Sequence, residues 1–163
     1  MTQIPTIEKV VVFLLDKQRF AIPLNTVRQI VRAVEVTAVP DAPPTICGVI
    51  NYHGSVIPVY DFHQRMGISG VITRPDNRFI ITSMSGFVIA LRVDDIEGIV
   101  ALSDENLVLS DSIQRGLDIY GVVKTTDRLV IVYNMEAFLN SEEISFLMQD
   151  EFDPPSNVGK YDS

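Results

Sequence analysis

The sequence predicts an all-β fold of one or two small barrels, and three observations carry that prediction. Short runs rich in Val, Ile and Phe, about ten of them, recur along the chain. Turn signals separate them at close spacing: Asp16-Lys17-Gln18, His53-Gly54, Ser85-Gly86 and Thr126-Asp127. Long helical periodicities are missing, and no tandem repeat is visible. At 163 residues and 47% hydrophobic content the chain fits one ordinary domain, or two very small ones sharing a core.

The elements follow in order. Val10–Leu15 reads as a first strand and Phe20–Ile22, up to Pro23, as a second. From Leu24 to Val34 the apolar spacing of three and four favours a helical turn while the β-branched content favours a strand, so a turn leading into a strand is expected. Prolines 40, 43 and 44 remove backbone donors and mark a loop. Ile46–Tyr52 and Val56–Tyr60 form a hairpin about His53-Gly54, and Asp61–Met66 is a short helical segment ending at Gly67. Ile68–Asn77 reads as an exposed connection. Three strands follow, Phe79–Thr82, Phe87–Val93 and Ile96–Leu102, then an irregular stretch over 103–118. Gly121–Lys124 and Leu129–Tyr133 make a late hairpin. Of two final short helices, the second has capping-box spacing at Asn140 and Glu143 and an apolar face of Ile144, Leu147 and Met148. The domain is expected to span residues 8–150, preceded by an extension over 1–7 and followed by an acidic flexible tail over 151–163, with no second domain after it.

Charge and motifs exclude more than they suggest. The net charge of −8 leaves no basic cluster for nucleic acid, and the acidic side chains gather late, at Glu142, Glu143, Asp150, Glu151, Asp153 and Asp162. No apolar run is long enough to span a bilayer and none near Met1 has the form of a signal peptide, so a cytoplasmic protein without membrane insertion is expected. Phosphate-loop, nucleophile-elbow and dinucleotide fingerprints are absent, and no cofactor is expected. Cys47, His53 and Asp61 could be a nucleophile, base and orienter, but a cysteine inside an apolar strand is ordinarily a buried thiol. Asp94, Asp95 and Glu97 lack the spacing of a calcium loop. The apolar set Leu24, Val27 and Ile30 is either core or a docking surface. The chemistry expected is therefore binding, not catalysis.

The stretch from Phe20 to Gly67 carries a family resemblance. Phe-Ala-Ile-Pro-Leu-Asn-Thr-Val-Arg-Gln-Ile is followed by Val39-Pro40 and then by Gly48-Val49-Ile50-Asn51-Tyr52-His53-Gly54-Ser55-Val56-Ile57-Pro58-Val59-Tyr60-Asp61. This resembles the CheW family of chemotaxis coupling proteins, as do Val93–Val100 and the segment from Gly121 to Val132. The resemblance covers about residues 8–140 and implies two interlocked five-stranded SH3-like β-barrels with short helices, including one at the C-terminus. It also implies a non-catalytic adaptor coupling a CheA-type histidine kinase to methyl-accepting chemoreceptors in membrane-associated arrays, or alternatively a scaffold forming rings with itself or homologous kinase domains. On this resemblance Val11, Leu24, Val27 and Ile30 face the kinase regulatory domain. Gln29, Gly48, Asn51 and His53 face the cytoplasmic receptor tip, and Pro58, Asp61 and Gly121 are scaffold. Two positions depart from the family pattern: His53 stands where arginine is usual, and Gln29 where glutamate is common. Arginine is always charged, whereas an ordinary histidine is mostly neutral at pH 7. If the two lie together, a neutral pair has replaced an ionic one.

Overall fold

A computed structural model describes residues 8–68, 74–108 and 119–149. Eleven strands are present among them: β1 (Lys9–Leu15), β2 (Gln18–Pro23), β3 (Val27–Arg32), β4 (Ile46–Tyr52), β5 (Ser55–Asp61), β6 (Arg78–Met84), β7 (Phe87–Val93), β8 (Asp95–Ala101), β9 (Leu107–Val108), β10 (Ile119–Lys124) and β11 (Leu129–Tyr133). Two short helices join them, α1 (Phe62–Arg65) and α2 (Ser141–Leu147), with single 3-10 turns over Leu24–Thr26 and Met135–Ala137. Three tight hairpins turn at paired positive-φ residues, Asp16-Lys17, His53-Gly54 and Ser85-Gly86, the twist that two-residue hairpin loops favour.

The strands form two sheets that remain open instead of closing as full barrels. One has six strands in the order β8-β1-β2-β11-β10-β9; the other has five, β3-β6-β7-β5-β4. The sixth strand corrects the expectation of five: Leu107 and Val108, in a stretch read as irregular, pair with Val123 and Val122. Chain order explains the interlocking. The five-stranded sheet is one continuous insertion, and the six-stranded sheet closes around it when β11 meets β2 in parallel at Val132 and Ala21. Pro58 fits within β5 because the ladder to β7 begins only at Val59.

Three apolar clusters hold these sheets, and strand alternation assigns residues to them. Val10 and Val12 of β1 point into the six-stranded sheet's own interior beside Ala21, Val123, Val130 and Val132. Val11, Phe13 and Leu15 point the opposite way, into a core shared between the sheets with Ile80, Leu91, Phe62 and Phe138. In β6 and β7, Phe79, Ile81 and Ala90 fill the interior of the five-stranded sheet, while Ile80, Met84, Ile89, Leu91 and Val93 join the shared core. Phe62 is the hub of that core, stacked on Phe138 at 5.2 Å and edge-on to Phe13, Phe20 and Tyr133.

The C-terminal helix closes the shared core by a route the sequence half revealed. Asn140 and Glu143 form the expected capping box. Glu143 is nevertheless buried, because its second oxygen accepts from Thr45 and from the Tyr60 hydroxyl at 2.9 Å. Burial falls on Phe146 and Leu147, with Ile144 packed beside them, whereas Met148 is 71% exposed as the helix ends. The apolar face expected at Met148 is therefore corrected to Phe146. Asn77, expected on an exposed connection, is likewise buried; its Oδ1 accepts from the Arg74 N–H and from Arg92. The expected tail over 151–163 and the extension over 1–7 lie outside the described residues.

Candidate functional site

Strand β3 is an edge strand, bonded to β6 alone, and its two faces lead to different places. A bulge at Arg28 shifts its register, since Val27 opposes Thr82 while Gln29 opposes Ile81. Beyond the bulge Gln29 and Val31 share the side of Ile81 and Phe79, which line the interior of the five-stranded sheet. Ile30 opposes Ile80 and lies on the other side, where it is 38% exposed. Leu24 and Val27 are half-buried against the shared core on the approach to it. Leu24, Val27 and Ile30 thus form a semi-exposed apolar ridge. Val11 does not belong to it: it is fully buried, because the alternation of β1 turns it into the shared core.

Next to Ile30 on β3, the side chain of Gln29 reaches the opposite edge strand of the same sheet. Its Oε1 accepts from the Tyr52 hydroxyl at 2.6 Å and lies 3.4 Å from His53 Nε2. The two positions that depart from the expected pattern are therefore in contact, in a set of amide, phenol and imidazole. The His53-Gly54 turn is held from beneath by Asn51, whose Oδ1 accepts the Gly54 N–H at 3.0 Å. Asn51 and His53 are exposed there. Gly48 is not: it is buried, and a Cβ on it would stand 2.3 Å from the Thr37 carbonyl oxygen. Its expected place in a contact surface is corrected to close backbone approach, where Thr37 and Val49 exchange hydrogen bonds of 2.9 and 2.8 Å. Tyr52 was missed by sequence reasoning, although its position beside His53 was the available signal.

Beneath these surfaces lies a buried charge network. Arg92, 1% exposed in the apolar strand β7, donates to Asp61 at 3.0 Å, to Asn77 at 3.3 Å and to His63 Nδ1 at 3.2 Å. His63 Nε2 lies 3.1 Å from Asp94 Oδ1 without forming a hydrogen bond. Burial works against ionisation of Asp61, but the contact with His63, the Arg92 charge and the Gln64 N–H outweigh it and hold the carboxyl below its ordinary range. Asp61 also caps α1, accepting from the N–H groups of His63 and Gln64.

The arrangement offers surfaces rather than reactive groups. Burial pushes the Cys47 thiol up to about 11, and its Sγ donates to the Val59 carbonyl. His53 sits at the hairpin tip, six residues along β4, roughly 20 Å from Cys47 at strand rise. The triad of Cys47, His53 and Asp61 is not assembled. Asp94 accepts from the Asp16 N–H, Glu97 pairs with Arg19, and Asp95 binds the N–H of Ile96, so these three acids are separately engaged. Among the described residues no group of three metal-ligating side chains occurs, and no helix is long and apolar enough to cross a membrane.

Comparison with known proteins agrees with the strand pattern. A family model described as the CheW-like domain matches residues 9–143. The chain is 28% identical over 152 residues to the chemotaxis protein CheW of Bacillus subtilis, covering 91% of this chain and 97% of that one. It is 26% identical over 138 residues to the chemotaxis protein CheW of Rhizobium meliloti, covering 83% and 89%. Among solved structures it resembles the scaffolding protein TtCheW of Thermoanaerobacter tengcongensis, with a TM-score of 0.74, 26% identity, and coverage of 85% and 96%.

Proposed function

Since the chain belongs to the CheW family, we propose that it is a non-catalytic adaptor coupling a CheA-type histidine kinase to chemoreceptors in cytoplasmic, membrane-associated arrays. The observation that supports this most is the division of β3, whose outward residue Ile30 belongs to the apolar ridge while its neighbour Gln29 belongs to the exposed tip with His53. One rigid strand joins both surfaces, as an adaptor requires. The ridge of Leu24, Val27 and Ile30 takes the kinase regulatory domain, and the tip of Gln29, Asn51 and His53, with Tyr52, takes the receptor.

Calorimetry with a CheA-type regulatory domain tests the ridge. Ile30→Glu puts a charge into the desolvated centre of the contact and is expected to weaken binding by about 30-fold or more. Ile30 is the clean position, because Val27 also packs on the shared core and a glutamate there would disturb folding as well as docking. Absence of binding by the unaltered chain would overturn the adaptor reading.

The tip is tested by His53→Arg. An exposed charged contact contributes about 0.2–1 kcal/mol, so the variant is expected to bind a standard receptor tip up to about fivefold more tightly in a pull-down titration. Gln29 carries no charge, so its contact with His53 is not an ion pair, which favours a second reading, a ring-forming scaffold that dispenses with the standard receptor contact. Equal receptor binding by both forms would support that scaffold.

A further inference from the structure

The outward face of β3 carries more than the apolar ridge. Arg32 follows Ile30 by two positions, which strand alternation puts on the side of Ile30, and Arg28 is the extra residue of the bulge two positions before Ile30. Both are exposed. Directly opposite Arg32 across the β3–β6 ladder stands Arg78, and opposed residues of an antiparallel pair share a face. Nη1 of Arg78 donates to the carbonyls of Asp76 and Asn77 at 2.8 and 3.2 Å, contacts that do not neutralise its charge. Among the described residues no carboxylate forms an ion pair with Arg28, Arg32 or Arg78.

This is an unusual concentration in a chain with 21 acidic and 13 basic residues. Like charges placed opposite each other destabilise a sheet, and here two arginines do so beside an exposed isoleucine and a free strand edge. Among the described residues no carboxylate relieves that repulsion; an acidic partner would.

We infer that the β3 face of Arg28, Ile30, Arg32 and Arg78 docks an acidic protein surface, one that presents carboxylates on either side of an apolar patch. This rests on the kinase-docking reading of the same ridge and adds the chemistry the partner must have. Ile30 supplies the desolvated centre, and the arginines form a rim that steers encounter and fixes orientation. Partner charge then sets the association rate more than the final affinity, and the rate falls as salt screens the rim.

The experiment is stopped-flow or surface-plasmon association of the full chain with a CheA-type regulatory domain at low and high salt. The unaltered chain, Arg28→Glu/Arg32→Glu and Ile30→Glu are compared, each checked for folding by circular dichroism. The double variant is expected to associate on the order of tenfold more slowly at low salt and to lose most of the salt dependence. Ile30→Glu is expected to dissociate faster with its salt dependence intact. If the double variant associates at the unaltered rate while Ile30→Glu fails to hold the complex, the ridge docks the kinase but the acidic partner is overturned. If the unaltered chain does not bind at all, the docking reading falls and takes this inference with it. Self-association gained by the double variant would make the arginines guards of a sheet edge, and salt-dependent self-association of the unaltered chain would give the face to a second copy; both overturn the proposal.

Discussion

Asp61→Ala is expected to cost about 3–5 kcal/mol of folding stability, more than the loss of any surface contact, because it strands a buried cation. Arg92 is buried on the face of β7 away from the shared core, opposite Phe79, and its only described carboxylate partner is Asp61, 3.0 Å away. The substitution also removes the acceptor for the first N–H groups of α1. Asp61→Asn separates these effects, since an asparagine retains the cap and loses the charge. The pH dependence has a definite sign. The folded-state pKa of Asp61 is depressed, so its contribution is present above the unfolded pKa and is lost as pH falls through the folded value. Urea unfolding at pH 7 should therefore show a wide gap between the unaltered chain and Asp61→Ala, and unfolding at strongly acid pH a narrow one. Adding Arg92→Met to the variant should recover much of the loss, as apolar replacements of buried ion pairs do. A cost below about 1 kcal/mol at pH 7 would mean that Arg92 finds another counter-charge, and the network would lose its structural role.

That network matters to function through its position. Asp61 ends β5, Arg92 lies on β7, and Asp94 accepts the Asp16 N–H from the turn between β1 and β2 at 2.6 Å. Two sheets are thus tied at one corner by charge and along their length by the shared core. With the sheets fixed, the ridge and the tip on β3 keep a constant separation, which the proposed coupling role needs if one partner's geometry is to constrain the other's.

The strands were legible in the sequence and their faces were not. Val10-Val11-Val12-Phe13 reads as a strand from its β-branched content, but it is apolar on both faces because each side meets a different cluster. With no polar alternation to read, Val11 could as well have pointed outward, and its burial was visible only once the second sheet was in place. In β8 the exposure does alternate residue by residue, which marks it as covered on one side. Other parts of the site depended on distant residues. Gln29 and His53 are 24 positions apart, so their contact could be stated only as a condition. Arg92 was signalled by a lone cation within Phe87–Val93, yet its partners Asp61 and Asn77 come from other elements. The two-residue strand β9 is too short to carry any pattern.

Gly48→Ala is expected to destabilise the domain by about 3–5 kcal/mol, combining overpacking with strain at a positive φ. The new methyl would lie 2.3 Å from the Thr37 carbonyl oxygen and 2.6 Å from Val36 Cγ1, and the backbone there has φ of +154°. Backbone cannot retreat as a flexible side chain can, so the strap at residues 36–37 must lift and give up its two hydrogen bonds to Val49. That strap covers β4, the edge strand that ends in Tyr52 and the His53 turn. If the tip binds a receptor as proposed, the consequence is indirect: that binding should fall in step with thermal stability and recover when the sample is cooled well below the lowered midpoint. A contact glycine would behave differently, leaving the melting temperature unchanged while binding was lost at every temperature. Measuring the midpoint and the receptor titration on the same variant distinguishes the two. The buried backbone favours the first result, because a buried residue acts on a partner through the strand that carries it.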